Sequence, residues 1–201
     1  MSQPRVGTQG KSAALEFARQ YVDHLISVLQ RLDCEAVANV IDLFIETRTR
    51  GNTIFLLGNG GSAATSDHFA NDLGFCASPE GHKAFRAVSL TSNSAVLTCL
   101  ANDIGYENVF VWQLRNLMRP GDVVVGISAS GNSSNAVKAL EYAAGNGGIP
   151  VAIVGFDGGR MKSLARYSIH VPTEKGEYGP VEDIHMVLDH LISNYLASVA
   201  E

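Results

Sequence analysis

The chain opens with two stretches in which apolar residues recur every three or four positions, from Ser12 to Leu32 and from Glu35 to Thr47. Spacing of this kind places the apolar side chains on one face of a helix. The polar residues between them then face away from the core. The pattern therefore predicts two amphipathic helices before any strand.

Five short apolar runs follow, and they alternate with longer helical patterns. Runs of this length, rich in β-branched residues, are typical of strands buried on both faces of a parallel sheet. The predicted strands are Thr53–Leu57, Ala87–Leu90, Asp122–Ile127, Pro150–Val154 and Tyr167–Val171. The predicted helices are Ala63–Leu73, Ala95–Asn102, Glu107–Met118, Ser134–Ala144 and Val181–Val199. This alternation predicts a three-layer α/β/α sandwich with a mainly parallel five-stranded sheet.

Composition adds size and charge to this picture. The chain has 201 residues, of which 46% are hydrophobic and 17% charged, enough for a sizeable core in one domain covering residues 1–201. Residues 1–11 are polar and are predicted to be a flexible tail. The net charge of −5 argues against a broad surface for nucleic acid or anionic membrane.

Neither a targeting segment nor a membrane span is visible in the sequence. No apolar run approaches the roughly 18 residues that a span requires. The three cysteines, Cys34, Cys76 and Cys99, are too few and too irregular for a disulfide framework. We therefore expect a cytoplasmic protein that does not contact a membrane.

Two loops rich in glycine and serine follow predicted strands and precede helices. The first is Gly58–Ser62 and the second is Ser128–Ser133. Glycine lets the backbone approach a ligand, and the amides at a helix start favour an anion, so hydroxyls and amides together could hold a phosphate without a lysine. The alternative is that each loop is an ordinary turn capped by Ser or Asn. Two such loops on one sheet favour phosphate binding.

Ionisable residues concentrate on two of the predicted helices. His68 and Asp72 stand four positions apart and share a face, where they could bind a metal or move protons. The last helix carries Glu182, Asp183, His185, Asp189 and His190. Its periodicity leaves the working pair open, because both Asp183 and Glu182 can face the same way as His190. A solvated helix face is the alternative for both groups.

Four motifs in this chain resemble those of the sugar isomerase (SIS) domain family, and within it the phosphoheptose isomerases. They are Gly58–Ala64, Asp67–Ala70, Ala101–Tyr106 and Ile127–Ser133, and the resemblance extends from about Ala14 to Leu196. It implies an aldose–ketose isomerase of a sugar phosphate. It also implies a homotetramer, in which the helices within residues 12–49 take part in oligomer packing.

The resemblance also implies roles for individual residues. Substrate would be bound by Asn59, Gly60, Gly61, Ser62, Asn93, Ser128, Ser130, Ser133 and Glu182, with the serines holding the phosphate. Zinc would be bound by His68, Asp72, Glu182 and His190. Asp72 would be the general base, and His190 would be its acid/base partner or a zinc ligand.

The chain departs from the family pattern at five positions. Asp72 replaces the usual Glu, Glu182 replaces Gln, Cys76 replaces an arginine, Asn93 replaces an Asp and Pro180 replaces a basic residue. The changes at Asp72 and Glu182 keep metal-binding atoms, although Asp is one methylene shorter and Glu182 adds a negative charge. These departures bear on the identity of the sugar rather than on the fold or the reaction type.

The expected activity is the conversion of sedoheptulose 7-phosphate to a D-glycero-D-manno-heptose 7-phosphate type product. The nearest alternative is the same chemistry on another ketose phosphate. Two further alternatives are a tetrameric scaffold that binds a replication initiator and a sugar-phosphate sensor that controls transcription. The scaffold relatives have lost the base and the last-helix histidine, and both residues are present here as Asp72 and His190.

Overall fold

The computed structural model of the chain describes residues 11–199. The predicted tail over residues 1–11 therefore lies outside the described residues, apart from Lys11, which begins the first helix. The helices are α1 (Lys11–Leu29), α2 (Cys34–Arg50), α3 (Gly61–Asn71), α4 (Ser94–Ile104), α5 (Val109–Leu117), α6 (Ser134–Gly145), α7 (Gly159–Leu164) and α8 (Tyr178–Ser198). The strands are β1 (Thr53–Leu57), β2 (Arg86–Ser89), β3 (Val123–Ser128), β4 (Ile149–Val154) and β5 (Tyr167–His170).

The five strands form one sheet in the order β2-β1-β3-β4-β5, and every pair is parallel. The predicted three-layer α/β/α fold is confirmed. Alternate residues of a strand point to opposite faces, so Ile54 and Leu56 pack with α2, α3 and α8, whereas Phe55 and Leu57 pack with α5 and α6. The three central strands, β1, β3 and β4, therefore contribute to two apolar layers.

Local signals explain where several helices begin and end. Asp33 caps α2, because its side chain accepts hydrogen bonds from the backbone N–H groups of Glu35 and Ala36. The same helix ends at Gly51, whose φ of 75° lies in the left-handed region that glycine adopts without strain.

The structure differs from the sequence prediction in two helical segments. The helix after the first loop begins at Gly61 and continues as a π-helical turn over Asp72–Cys76. The hydrogen bonds of such a turn join residues five positions apart, and the spacing of apolar residues in the sequence does not reveal them. Helix α7 was not predicted, because its six residues are too few to show a helical period.

The order of the strands defines where a ligand can bind. Strand β1 lies between β2 and β3, so the chain reverses its direction of travel across the sheet at the β1/β3 pair. Ligands of open α/β sheets bind beyond the carboxyl ends of the strands at such a switch point. Both glycine- and serine-rich loops leave from these two strand ends. Within residues 11–199, no helix combines the length and apolar character needed to cross a membrane.

Candidate active site

The first loop connects β1 to α3 through Gly58, Asn59 and Gly60. Gly60 has φ 57° and ψ −123°, a conformation that is accessible to glycine and strained for other residues. Gly61 and Ser62 already belong to the first turn of α3, and Ser62 is buried. The predicted loop therefore brings backbone amides, rather than an extended segment, to the carboxyl end of β1.

The second loop connects β3 to α6 and is held by its own hydroxyl groups. The hydroxyl of Ser128 accepts a hydrogen bond from the backbone N–H of Gly131 (3.2 Å) and lies 3.4 Å from the Ser133 hydroxyl. Ser130 accepts from the backbone N–H of Asn132 at 3.3 Å. Three of the serines expected to bind phosphate thus line one tight turn.

Neither loop has a side-chain cap on the helix that follows it. Gly60 precedes α3 and Ser133 precedes α6, and no side-chain capping hydrogen bond is made by either residue. An ordinary capped turn would use such a bond to satisfy the first amides of the helix. Uncapped helix starts at a switch point are consistent with anion binding.

A pair of asparagines joins the two loops. The side-chain amides of Asn59 and Asn135 donate to each other's carbonyl oxygens, both at 2.9 Å. Asn135 is buried, and the hydroxyl of Tyr106 also donates to Asn59 at 2.9 Å. This clamp sets the separation of the first loop from the start of α6.

Beside the loops, α3 and α8 bring together two histidines and two carboxylates. Ligand atoms of His68, Asp72, Asp189 and His190 all lie within 4.8 Å of one another. The Nε2 atoms of His68 and His190 are 3.2 Å apart, and His68 Nε2 lies 3.4 Å from Asp72 Oδ2. The two histidines are exposed and the two aspartates are buried, so the cluster opens to the surface through its imidazoles.

Asp72 is positioned by the start of the π-helical turn. Its Oδ1 accepts hydrogen bonds from the Asn71 amide (3.2 Å) and the Cys76 thiol (3.7 Å). Cys76 is exposed, and local desolvation together with the adjacent charge of Asp72 raises the pKa of its thiol. Cys76 therefore faces the candidate base from the position that an arginine occupies in the family pattern.

Asp189 lies at the base of this cluster and is fully buried. The hydroxyl of Ser193 donates to its Oδ1 at 3.2 Å, whereas its Oδ2 is buried without a hydrogen-bond partner among the described residues. Burial, reinforced by the nearby charge of Asp72, raises the pKa of Asp189 to about 7.

Three other predicted or considered residues lie away from the cluster. The Glu182 carboxylate lies against Gly61 at the start of α3, and Glu182 is not a member of the four-residue group found in the described chain. Asp183, an alternative partner of His190, instead accepts a hydrogen bond from Tyr21 of α1 at 2.5 Å. This bond, together with burial, raises the pKa of Tyr21 to about 12.

Asn93 caps α4 by accepting a hydrogen bond from the backbone N–H of Val96, and it lines a separate cavity of about 690 Å³.

Sequence reasoning did not assign roles to Asn135, Tyr106 or Asp189. Asn135 and Tyr106 lie in the motifs that support the resemblance or next to them, but nothing in their spacing shows that they meet Asn59. Asp189 could have been found from its position beside His190, had its burial been known. Helical periodicity gives the direction of a side chain but not the depth of the surface that it faces.

Comparison with known proteins agrees with this fold. Residues 19–155 match the model of the SIS domain, and the chain belongs to this family. Its relatives include the phosphoheptose isomerase of Trichlorobacter lovleyi, 36% identical over 178 residues (86% of this chain, 90% of the relative). The phosphoheptose isomerase of Akkermansia muciniphila is 41% identical over 160 residues (80% of this chain, 82% of the relative).

A solved structure gives the same result. The phosphoheptose isomerase of Neisseria gonorrhoeae superposes with a TM-score of 0.82 at 30% identity, covering 94% of this chain and 98% of that one. The resemblance stated from the motifs is confirmed. So is the enzyme class that it implied, the aldose–ketose isomerases of sugar phosphates.

Proposed function

We propose that this chain isomerises sedoheptulose 7-phosphate to a D-glycero-D-manno-heptose 7-phosphate type product. The proposal rests mainly on the arrangement of α3. This helix begins at the first loop, contains His68 and is followed directly by Asp72. His68 follows Ser62 by six residues, so it lies roughly 9 Å further along the helix axis. This separation suits a sugar with its phosphate at one end and its carbonyl at the other.

The phosphate end would be bound by the two loops. Amides and hydroxyls around Gly60, Gly61 and Ser62 face the same switch point as Ser128, Ser130 and Ser133, and Asn59 is held between them. Anchoring the phosphate holds the reacting carbons in one position relative to the catalytic groups.

The reacting end would use Asp72 as the base. Aldose–ketose exchange removes a proton from the carbon next to a carbonyl and returns it one carbon along. Asp72 Oδ2 faces His68 and would be the oxygen that binds zinc, so Oδ1, which accepts hydrogen bonds from the Asn71 amide and the Cys76 thiol, would be the oxygen that takes the proton. His190, exposed on α8, would act either as the acid/base partner of Asp72 or as a zinc ligand, because its Nε2 cannot fill both roles at once.

The same cluster fits a zinc ion. Zinc binds readily to imidazole nitrogen and carboxylate oxygen, and His68, Asp72 and His190 already bring these atoms together. The resemblance implies Glu182 as a fourth ligand, and its carboxylate lies outside this cluster, against Gly61. When bound, the ion would polarise the carbonyl or hydroxyl oxygens of the sugar. Asp72 cannot be both a tight zinc ligand and a strong base at once, so the proton transfer requires an oxygen of Asp72 that is not bound to zinc.

We also propose a homo-oligomer, expected to be a tetramer, in the cytoplasm. Leu15, Val22 and Ile26 are exposed on one face of α1, and Leu191 and Tyr195 are exposed on one face of α8. Apolar faces of this kind are typical of surfaces that pack against another chain.

The cluster also separates this proposal from its alternatives. A scaffold that binds a replication initiator does not require two histidines and a buried carboxylate, His68, His190 and Asp72, held within 3.4 Å along the chain of contacts. Isomerisation of another ketose phosphate uses the same groups and differs only in the sugar. The choice of sugar is therefore what the activity assay must decide.

The test is to incubate the zinc-supplemented protein with sedoheptulose 7-phosphate and with a panel of C6–C8 ketose phosphates, and to follow the aldose phosphate by NMR. Asp72→Asn and His190→Ala are expected to lower the rate by 10²-fold or more, about the contribution of a positioned acid or base. Asp42→Asn, which changes an exposed residue of α2, is the matched control. Wild-type rates in Asp72→Asn would refute the assignment of the base.

A further inference from the structure

We propose that Asp189, rather than Glu182, is the fourth protein ligand of the metal site. The proposal rests on the metal-binding part of the proposed function. It concerns a residue that the motif resemblance leaves without a role and that the fold brings into the cluster through α8.

The spacing of the donor atoms supports a tetrahedral site. Zinc is bound at about 2.0–2.2 Å by imidazole nitrogen and carboxylate oxygen, so neighbouring ligand atoms of a tetrahedron are about 3.3 Å apart. The His68–His190 Nε2 separation is 3.2 Å and the His68 Nε2–Asp72 Oδ2 separation is 3.4 Å. Two of the donor pairs therefore already have the spacing of ligands around one ion, and the ligand atoms of all four residues lie within 4.8 Å of one another.

The second observation is the state of the Asp189 carboxylate. The side chain is fully buried, and its Oδ2 has no hydrogen-bond partner in the described part of the chain. An unpartnered buried carboxylate oxygen is costly, and a cation in the cluster would remove that cost. Its other oxygen accepts from Ser193, the outer-shell contact that commonly orients a metal-binding carboxylate.

The position of Glu182 argues against it as a ligand. Its carboxylate lies against Gly61, at the opposite end of α3 from the cluster. His68 is seven residues further along that helix, roughly 10 Å along the axis. Glu182 is therefore placed to face the phosphate loop and the substrate, whereas Asp189 directly precedes the ligand His190.

This assignment gives the site two imidazoles and two carboxylates from one chain. The two carboxylates balance the charge of a divalent ion, so the protein would bind zinc without a contribution from substrate or from a second subunit. The chain would thus compensate for losing the neutral Gln of the family pattern by using a different acidic residue one helical turn before Ser193.

The experiment is a competitive zinc titration of the full-length apo protein against a chromophoric chelator, with no sugar present. Asp189→Asn is expected to weaken zinc binding by about 100-fold or more, beyond the 10–100-fold that outer-shell changes usually cause. Ser193→Ala is expected to weaken it by about 10-fold. Glu182→Ala, which removes the donor oxygens, is expected to stay within about threefold of wild type. Asp189→Asn within threefold of wild type, or a larger loss in Glu182→Ala, would overturn the proposal.

If Asp189→Asn does not fold, a second measurement still tests the proposal. The visible absorption of the Co²⁺-loaded protein reports the ligand set directly. Glu182→Ala is expected to leave that spectrum unchanged, and a changed spectrum would assign Glu182 as a ligand and contradict the proposal. Because neither measurement uses a substrate, failure of this proposal is distinguishable from failure of the isomerase activity.

Discussion

The residues of the site differ in how strictly the backbone requires them. The serine hydroxyls of the second loop bond to that loop's own amides, so they organise the turn as well as face the ligand. Gly131 allows the turn itself, because its φ of 61° is left-handed and a Cβ would overlap the carbonyl oxygen of Gly158. Backbone conformation and steric fit therefore require glycine at position 131, whatever contact this residue makes with a ligand.

Gly131→Ala should accordingly lower the free energy of unfolding by about 2 kcal/mol or more, since it combines backbone strain with a backbone clash. The matched control is Gly145→Ala at the end of α6, where nothing lies within 4 Å of the added Cβ. That change should be neutral or stabilising by up to about 1 kcal/mol. Urea unfolding of the two variants measures the difference. Equal stabilities would contradict the argument from fit.

The buried side chain of His185 makes the stability of the fold depend on pH. Burial lowers the pKa of its imidazole to about 4 from the ordinary value of 6.5, and the nearby backbone of Val154 opposes this only in part. Between pH 6.5 and 4 the unfolded chain binds a proton that the folded chain does not. Stability due to this group therefore falls as the pH falls through that window.

His185→Leu should flatten the acid side of the stability profile. Between pH 7.5 and 5, wild type is expected to lose on the order of 2 kcal/mol more unfolding free energy than the variant, given about 1.4 kcal/mol per pKa unit. Comparing the two proteins cancels the opposite contribution of Asp189, whose raised pKa favours the folded state at lower pH. Chemical denaturation at several pH values measures both curves. Parallel curves would show that His185 is not responsible.

At the scale of elements, the strands were predictable and the details of α3 were not. In strand β1 (Thr53–Leu57), the four residues after Thr53 are all apolar because both faces of the sheet are covered, and this is visible in the sequence. The π-helical turn that positions Asp72 has no sequence signature. The meeting of Asp189 with His68 and Asp72 was not predictable either, because periodicity along α8 does not reveal how α8 packs against α3.

The asparagine clamp is the element-level contact most open to test. Asn135→Ala leaves Asn59 without its reciprocal partner and should let the first loop move relative to α6. We expect KM for the sugar phosphate to rise about tenfold, equivalent to about 1.4 kcal/mol, with a smaller change in kcat. Asn116→Ala, an exposed change on α5, should leave both unchanged. An unaltered KM in a folded Asn135→Ala protein would show that the clamp does not position the loop.

At the scale of the whole molecule, the switch point of the sheet brings the two loops together, and α8 completes the site beside α3. Helix α1 then packs on α8 through the Tyr21–Asp183 hydrogen bond, and His24 of α1 lies 3.0 Å from Glu177, the residue just before α8. The outer faces of these two helices remain apolar and exposed in the single chain. The site and the expected subunit contact thus share one helix.

Light scattering should therefore give a mass of about four times the 21.4 kDa of the chain. Leu191→Asp should reduce that mass without unfolding the protein, because Leu191 is 44% exposed in the single chain and carries no part of its core. Circular dichroism provides the control for folding. A wild-type monomer, or an undiminished mass in Leu191→Asp, would contradict this assignment of the packing surface.

The central claim is proton transfer at the carbon beside a sugar-phosphate carbonyl, and its most direct test is isotope exchange. The zinc-loaded protein is incubated with sedoheptulose 7-phosphate in D₂O and followed by NMR. We predict that an aldose phosphate appears with deuterium at C2, and that both product and label are absent in Asp72→Asn. A folded, zinc-loaded wild-type protein that produces neither aldose nor deuterium label from this substrate would contradict the proposed function.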